Sequence, residues 1–79
     1  MKKYIVFSAS WCGPCQQYKP MLNEISSIPI QVVDVDQNPT LTQRYNVRNV
    51  PTTILVQDDQ ELKRFVGIQS KETLIQNYG

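Results

Sequence analysis

A chain of 79 residues, 41% apolar and 19% charged, has room for one compact domain, residues 1–79, and excludes a second. Lys+Arg number 8 against 7 for Asp+Glu, and the charges are scattered, which excludes the basic face of a nucleic-acid binder and an acidic tail. The longest apolar run, Tyr4 to Phe7, is far too short to cross a membrane, and the Met1-Lys2-Lys3 start lacks the apolar core and cleavage site of a signal peptide, so a cytoplasmic protein is expected.

In chain order, "KYIVFSA" (3–9) is an unbroken apolar segment rich in branched and aromatic residues, which suits a strand covered on both faces. Cys15, Tyr18, Leu22 and Ile25 then recur at helical spacing, so a helix is expected to run to Ser26, with Pro14 in its first turn. Pro20 lies inside that pattern and should kink it, because proline has no N–H and its ring meets the carbonyl four residues back. "IPIQVVDVD" (28–36) reads as the next strand. "NPTLTQRYNV" (38–47) reads as a short helix with Asn38 as N-cap and Pro39 at its first position. "PTTILV" (51–56) and "ELKRFVG" (61–67) flank "QDDQ" as an antiparallel hairpin, although Asp-Asp is a weaker turn signal than Asn-Gly. Ser70 caps a last helix that carries Leu74, Ile75 and Tyr78. The order β-α-β-α-β-β-α predicts an α/β fold with a four-stranded mixed sheet, helices on both faces, and its first two strands parallel through a right-handed crossover.

The chain's two cysteines stand in "SASWCGPCQQYKP" (8–20), where the first strand has ended and a helix begins. Unpaired N–H groups and the dipole at a helix N-terminus stabilise an anion, so Cys12 should ionise more readily than a free thiol, and the thiolate is the nucleophile. Cys15, one turn on, lies on the same side but on the core-facing stripe, where it can attack whatever Cys12 has captured. Pro14 stiffens the turn, and Gly13 leaves Cys12 accessible to a protein-sized disulfide. The pattern predicts an exposed attacker and a shielded resolver. Three blander readings compete with it. A structural disulfide over so short a loop would contribute roughly 2 kcal/mol, against about 3 for a fifteen-residue loop. A zinc site needs about four ligands, and two cysteines with no histidine supply half of one. An inert reduced pair would leave the tryptophan, glycine and proline around it without a role.

"WCGPC" after an apolar strand resembles the active-site signature of thioredoxins. Lys19-Pro20, "VDVDQNP" (33–39), "YNVRNVPT" (45–52) and Val66-Gly67 are similar to thioredoxin landmarks in the same order, so the resemblance covers essentially the whole chain. It implies a minimal thioredoxin fold that lacks the usual first strand and helix, like the compact thioredoxins phages encode. It also implies that Cys12 is the nucleophile, that Cys15 is the resolving thiol, that the two form the redox disulfide, and that Pro51 is the family's cis-proline. Trp11, Gly13, Pro14, Val50, Pro51, Gly67 and Ile68 would form the apolar rim that docks protein substrates. From the residues alone, Pro51 could equally be a strand-start proline, and a core side chain is the lesser alternative for Trp11.

Two departures from the resemblance stand out. Thioredoxins bury an aspartate under the resolving cysteine, with a lysine on the neighbouring strand, and the matching positions here are Val6 and Val32. A buried acid without its cation would be costly, so joint replacement is coherent and predicts a dry floor beneath Cys15. Asn49 stands where the family commonly has glycine. The resulting expectation is a monomeric thiol-disulfide oxidoreductase that reduces protein disulfides, ribonucleotide reductase among the candidate substrates. It would need no cofactor or metal of its own and would be re-reduced by a thioredoxin reductase. The alternatives are a glutaredoxin-like enzyme fed by glutathione and a protein-binding module that uses the apolar rim.

Overall fold

The first strand shows why an unbroken apolar run needs cover on both sides. In the computed structural model, which describes residues 1–79, Tyr4 to Ser8 of β1 (Lys2–Ser8) are all buried. The chain continues through α1 (Gly13–Asn23), β2 (Ile30–Asp34), α2 (Pro39–Arg44), β3 (Thr52–Gln57), β4 (Gln60–Val66) and α3 (Lys71–Tyr78). The strands form one four-stranded sheet in the order β2-β1-β3-β4. β1 runs parallel to β2, with Tyr4 opposite Ile30 and Val6 opposite Val32. β3 is antiparallel to β1, with Val6 opposite Thr53, and β4 is antiparallel to β3. This is the mixed α/β sheet expected from the element order.

Alternation along β1 divides the core between the two faces of the sheet. Tyr4 and Val6 join Tyr18 and Leu22 of α1, Leu55 of β3 and Leu74 of α3 in one apolar cluster. Ile5 and Phe7 point the other way, to Val33, Tyr45, Ile54 and Val56, with Leu41 of α2 packed against them. Each fully buried side chain of this kind contributes about 1.5 to 3 kcal/mol.

Several boundaries differ from the sequence reading, each for a local reason. α1 ends at Asn23 rather than Ser26, and Pro20 sits inside it without ending it. Ile25 is buried all the same, because the chain turns there with the Ile25 N–H bonded to the Leu22 carbonyl at 3.1 Å. β2 is shorter than expected at both ends. Asn38 is the N-cap of α2, but its side chain makes no capping bond and instead donates to the Asp34 carbonyl. α2 stops at Arg44, and Asn46, at φ 53°, turns the chain toward β3. The hairpin closes over Asp58 and Asp59 with φ of 51° and 70°, a primed turn that aspartate tolerates. The Met1 ammonium pairs with Asp58 and helps hold it there. Ser70 caps α3, its Oγ accepting from the Thr73 N–H at 3.1 Å. Leu74 is buried, whereas Ile75 is 45% exposed and lies off the core-facing stripe.

Candidate active site

β1 delivers the chain to the site. The Ser8 carbonyl accepts from the Val35 N–H at 2.9 Å, which holds the ends of the two parallel strands together. Ala9 is buried, and its carbonyl accepts from the Cys12 N–H at 3.2 Å and from Gln16 Nε2 at 3.0 Å. These bonds close the turn and set Cys12 as the N-cap of α1, extended at φ −92° and ψ 109°. Its Sγ accepts from the Cys15 N–H at 3.2 Å. The sulfur thus occupies the place a capping oxygen usually fills, against a donor that the helix would otherwise leave unpaired.

Cys12 and Cys15 are joined by a disulfide across a Cα separation of 5.3 Å. Cys15 is 1% exposed and Cys12 6%. The order of exposure agrees with the sequence reading, but Cys12 is not an exposed residue: only an edge of it reaches the surface. Trp11, 69% exposed, and the exposed Gly13 and Pro14 stand around that edge. A Cβ added to Gly13 would meet nothing within 4 Å, so the fold itself does not require glycine there. Any demand for it comes from what approaches from outside.

The rest of the rim comes from two other segments. The Val50 carbonyl oxygen lies 3.7 Å from Cys12 Sγ. The Val50–Pro51 peptide bond is cis, with Val50 half-buried and Pro51 buried. The Pro51 carbonyl accepts from the Gly67 N–H at 2.9 Å, which brings the Gly67-Ile68 segment to the site. Gly67 has φ 89°, a conformation that favours glycine, and Ile68 is 49% exposed. Of the expected rim, Val50 thus stands beside the Cys12 sulfur and Gly67 is tied to it through Pro51, which lies beneath the surface rather than on it.

Sequence reasoning missed the groove beside them. Trp11 Nε1 donates to Asp36 Oδ2 at 2.9 Å, which fixes the indole along one wall of a cavity of about 330 Å³. Val35, Val47, Val50 and Arg48 are among the residues that line the rest of it. These residues sit on separate loops at the carboxyl ends of β1 and β2, where open α/β sheets place their ligand crevices, and that topological rule was the available signal.

The floor beneath Cys15 differs from expectation. Val6 is 1% exposed, but Val32 is 46% exposed on the free edge of the sheet and forms no part of a dry floor. On the other side of β1, on the central strand β3 and opposite Val6, stands the fully buried Thr53, whose Oγ1 lies 2.7 Å from the Tyr18 hydroxyl. The floor is thus uncharged but not wholly apolar. Burial pushes the Tyr18 phenol above its ordinary 10.0, opposed by the Thr53 hydroxyl and the Gln69 backbone amide facing it. Ser8 Oγ, also buried, has no hydrogen-bond partner.

Comparison with known proteins places this geometry. A family profile described as Thioredoxin matches residues 2–78. The thioredoxin of Chlamydia caviae is 41% identical over 75 residues, covering 90% of this chain and 74% of that protein. A Mycobacterium leprae protein named bifunctional thioredoxin reductase/thioredoxin is 40% identical over 76 residues, covering 90% of this chain and 17% of the longer one. The solved thioredoxin of Fasciola hepatica superposes with a TM-score of 0.86 at 31% identity, covering 99% of this chain and 81% of that one.

Proposed function

The chain belongs to the thioredoxin family and is a protein-disulfide oxidoreductase, and from that premise we propose that it works as a reductase, with Cys12 attacking and Cys15 resolving. The observation that carries the assignment is the position of Cys12 Sγ, which caps α1 at 3.2 Å from the Cys15 N–H and 3.7 Å from the Val50 carbonyl. In the dithiol form, the Cys12 thiolate attacks one sulfur of a substrate disulfide. The S–S bond breaks, the second substrate sulfur leaves as a thiolate and takes up a proton, and a mixed disulfide remains on Cys12. Cys15, as thiolate, then attacks the Cys12 sulfur, which releases the second substrate thiol and leaves the Cys12–Cys15 disulfide. Two electrons and two protons have passed to the substrate.

The surface around Cys12 supports a protein as the substrate. Trp11, Gly13, Pro14, Val50, Gly67 and Ile68, with Pro51 beneath them, would form a mostly apolar rim beside the sulfur, and with the Val50 carbonyl at its edge this suits an extended peptide segment. The open space at Gly13 lets such a backbone come close. Ribonucleotide reductase fits this substrate class. A thioredoxin reductase is the donor we favour over glutathione, because one relative's name joins that reductase and a thioredoxin in a single chain. No helix is long and apolar enough to cross a membrane, and a monomer in the reducing cytoplasm suits the chemistry.

The test is to mutate each cysteine and incubate with oxidised insulin. Cys12→Ser abolishes reduction, and Cys15→Ser accumulates a mixed disulfide on Cys12, read by mass spectrometry. An adduct on Cys15 in the Cys12→Ser protein, with none on Cys12 in the converse variant, would reverse the roles. Insulin turnover with each donor separates the thioredoxin from the glutaredoxin reading. A stoichiometric partner retained by the Cys12→Ser/Cys15→Ser protein, with no turnover from either donor, would favour a binding module.

A further inference from the structure

The cluster that α1 buries one turn beyond Cys15 contains a polar contact that packing alone does not require. Tyr18 and Thr53, 1% and 0% exposed, lie 2.7 Å apart hydroxyl to hydroxyl within an otherwise apolar cluster. Replacing both members of such a pair by apolar groups of the same shape is close to neutral for stability, so a fold that needed only to fill this space would accept Phe and Val. What a hydrogen bond adds is a fixed distance and direction, which apolar packing does not supply.

The location of the pair indicates what is being fixed. Tyr18 follows Cys15 by one turn of α1, and its side chain leans back toward that turn. Thr53 lies two residues beyond Pro51 on β3. The same two segments meet again at the mouth of the site, where Cys12 Sγ stands 3.7 Å from the Val50 carbonyl. No other hydrogen bond joins α1 to β3. The Cys12 sulfur and the Val50 carbonyl thus belong to two segments that are tied together by one hydroxyl pair beneath them.

We propose that Tyr18 is a positioning residue for protein substrates: its hydroxyl, held by Thr53, sets where the Val50 carbonyl stands beside Cys12 Sγ, so that a substrate segment docked along the Val50 backbone presents its disulfide to that sulfur. The inference rests on the reading of the chain as a protein-disulfide reductase. It separates two classes of substrate. An extended peptide has to meet the Val50 backbone and the Cys12 sulfur at once, whereas a small disulfide has only to reach the Cys12 sulfur.

Single-turnover reduction by the fully reduced protein tests it, with insulin as the protein disulfide and a small aromatic disulfide for comparison, in Tyr18→Phe, Tyr18→Phe/Thr53→Val and Thr53→Ser. In the first two variants the half-saturating insulin concentration rises about threefold to tenfold, the range spanned by loss of one buried hydrogen bond, while the small-disulfide rate stays within about twofold. The double variant recovers the denaturation midpoint lost in Tyr18→Phe, because no hydroxyl is left unpaired, yet keeps its raised insulin requirement. Thr53→Ser retains a hydroxyl and behaves as the native protein. An unchanged insulin requirement in Tyr18→Phe, or its return to native in the double variant together with stability, makes Tyr18 a packing residue and overturns the proposal. A native protein that reduces neither substrate would instead end the reductase reading, and this inference with it.

Discussion

The two faces of the sheet are built differently. The face under α1 and α3 buries Tyr4, Val6, Tyr18, Leu22, Leu55 and Leu74, and its polar atoms are tied: Tyr4 donates to the Leu74 carbonyl at 2.6 Å and Tyr18 meets Thr53. The face under α2 has a tight inner layer of Ile5, Phe7, Val33 and Ile54, but α2 is six residues long and buries none of its own side chains fully. Val35, Val47 and Val50 there are only half-buried, and the groove beside Trp11 opens among them. Cys15 is carried by α1, whose Tyr18 and Leu22 anchor it to the first face, while both cysteines pack against Val35 and Val50 of the second, where the recognition surface extends. A dithiol that must hold one geometry benefits from a rigid support, while a surface that accepts different partners does better with half-open walls.

A buried charge should show the largest contrast between the faces. Val6→Asp places a carboxyl at a position 1% exposed with no cation beside it, and desolvation raises its folded pKa above the usual value of about 3.9. The unfolded chain then releases its proton first. The cost is therefore small below about pH 3.9 and grows with pH until the folded pKa is passed, reaching about 3 to 5 kcal/mol at neutral pH if the charge is forced in. Val47→Asp, on the half-open wall, keeps its charge in reach of water and should cost less than about 1.5 kcal/mol with little pH dependence. Denaturant melts of both at acid and neutral pH measure this, and equal penalties would erase the distinction.

Truncation of one leucine on each face should give a smaller but still clear difference. Leu74, 0% exposed, should cost about 2 to 5 kcal/mol as Leu74→Ala, a large part of the stability available to so small a domain. Leu41, half-buried on α2, should cost about 1 kcal/mol as Leu41→Ala, since water already reaches part of it. Urea midpoints with a common slope decide between them, and a costlier Leu41→Ala would place the rigid core on the α2 face.

The smallest effect is expected from the ion pair that borders the α2 face. Arg64 bonds both Glu61 carboxylate oxygens, at 2.8 and 2.9 Å, and also reaches the Tyr45 carbonyl. The Arg64 hydrogen bond holds the Glu61 carboxyl below its ordinary 4.5. A carboxyl with a depressed folded pKa contributes stability above its unfolded value and loses it as pH falls through the folded one. Glu61→Gln should therefore cost no more than about 0.5 kcal/mol at neutral pH, and the difference from the native protein should vanish in strong acid. A gap that widens on acidification would contradict this sign.

Much of this protein could be read from the sequence alone, because the information is local. The apolar run Tyr4–Phe7, the helical stripe through Cys15, Tyr18 and Leu22, and the cap at Ser70 are contained in spans shorter than a dozen residues, and each formed the element expected. The cysteine pair was legible for the same reason: strand end, N-cap and first turn are consecutive, so the placement of Cys12 at the start of α1 needs no distant contact. Element ends were less legible. α1 ended at Asn23 rather than Ser26, and α2 at Arg44 rather than Val47, because tertiary packing decides whether a last turn is worth keeping.

Tertiary structure alone decided which side of each strand was covered and what met across the sheet. Val6 and Val32 are the same residue type in adjacent register, yet one is 1% and the other 46% exposed, because β1 is central and β2 is an edge. Thr53 and Tyr18 are 35 residues apart in sequence, and no periodicity relates them. Trp11 and Asp36, or Cys12 and the Val50 carbonyl, likewise meet only after the parallel crossover and the hairpin have closed. Local order follows from dihedral preferences and short-range periodicity, which each stretch of sequence contains in full. The polar contacts that surround the sulfur depend on strand order and register, and those are set by the burial of all the strands at once.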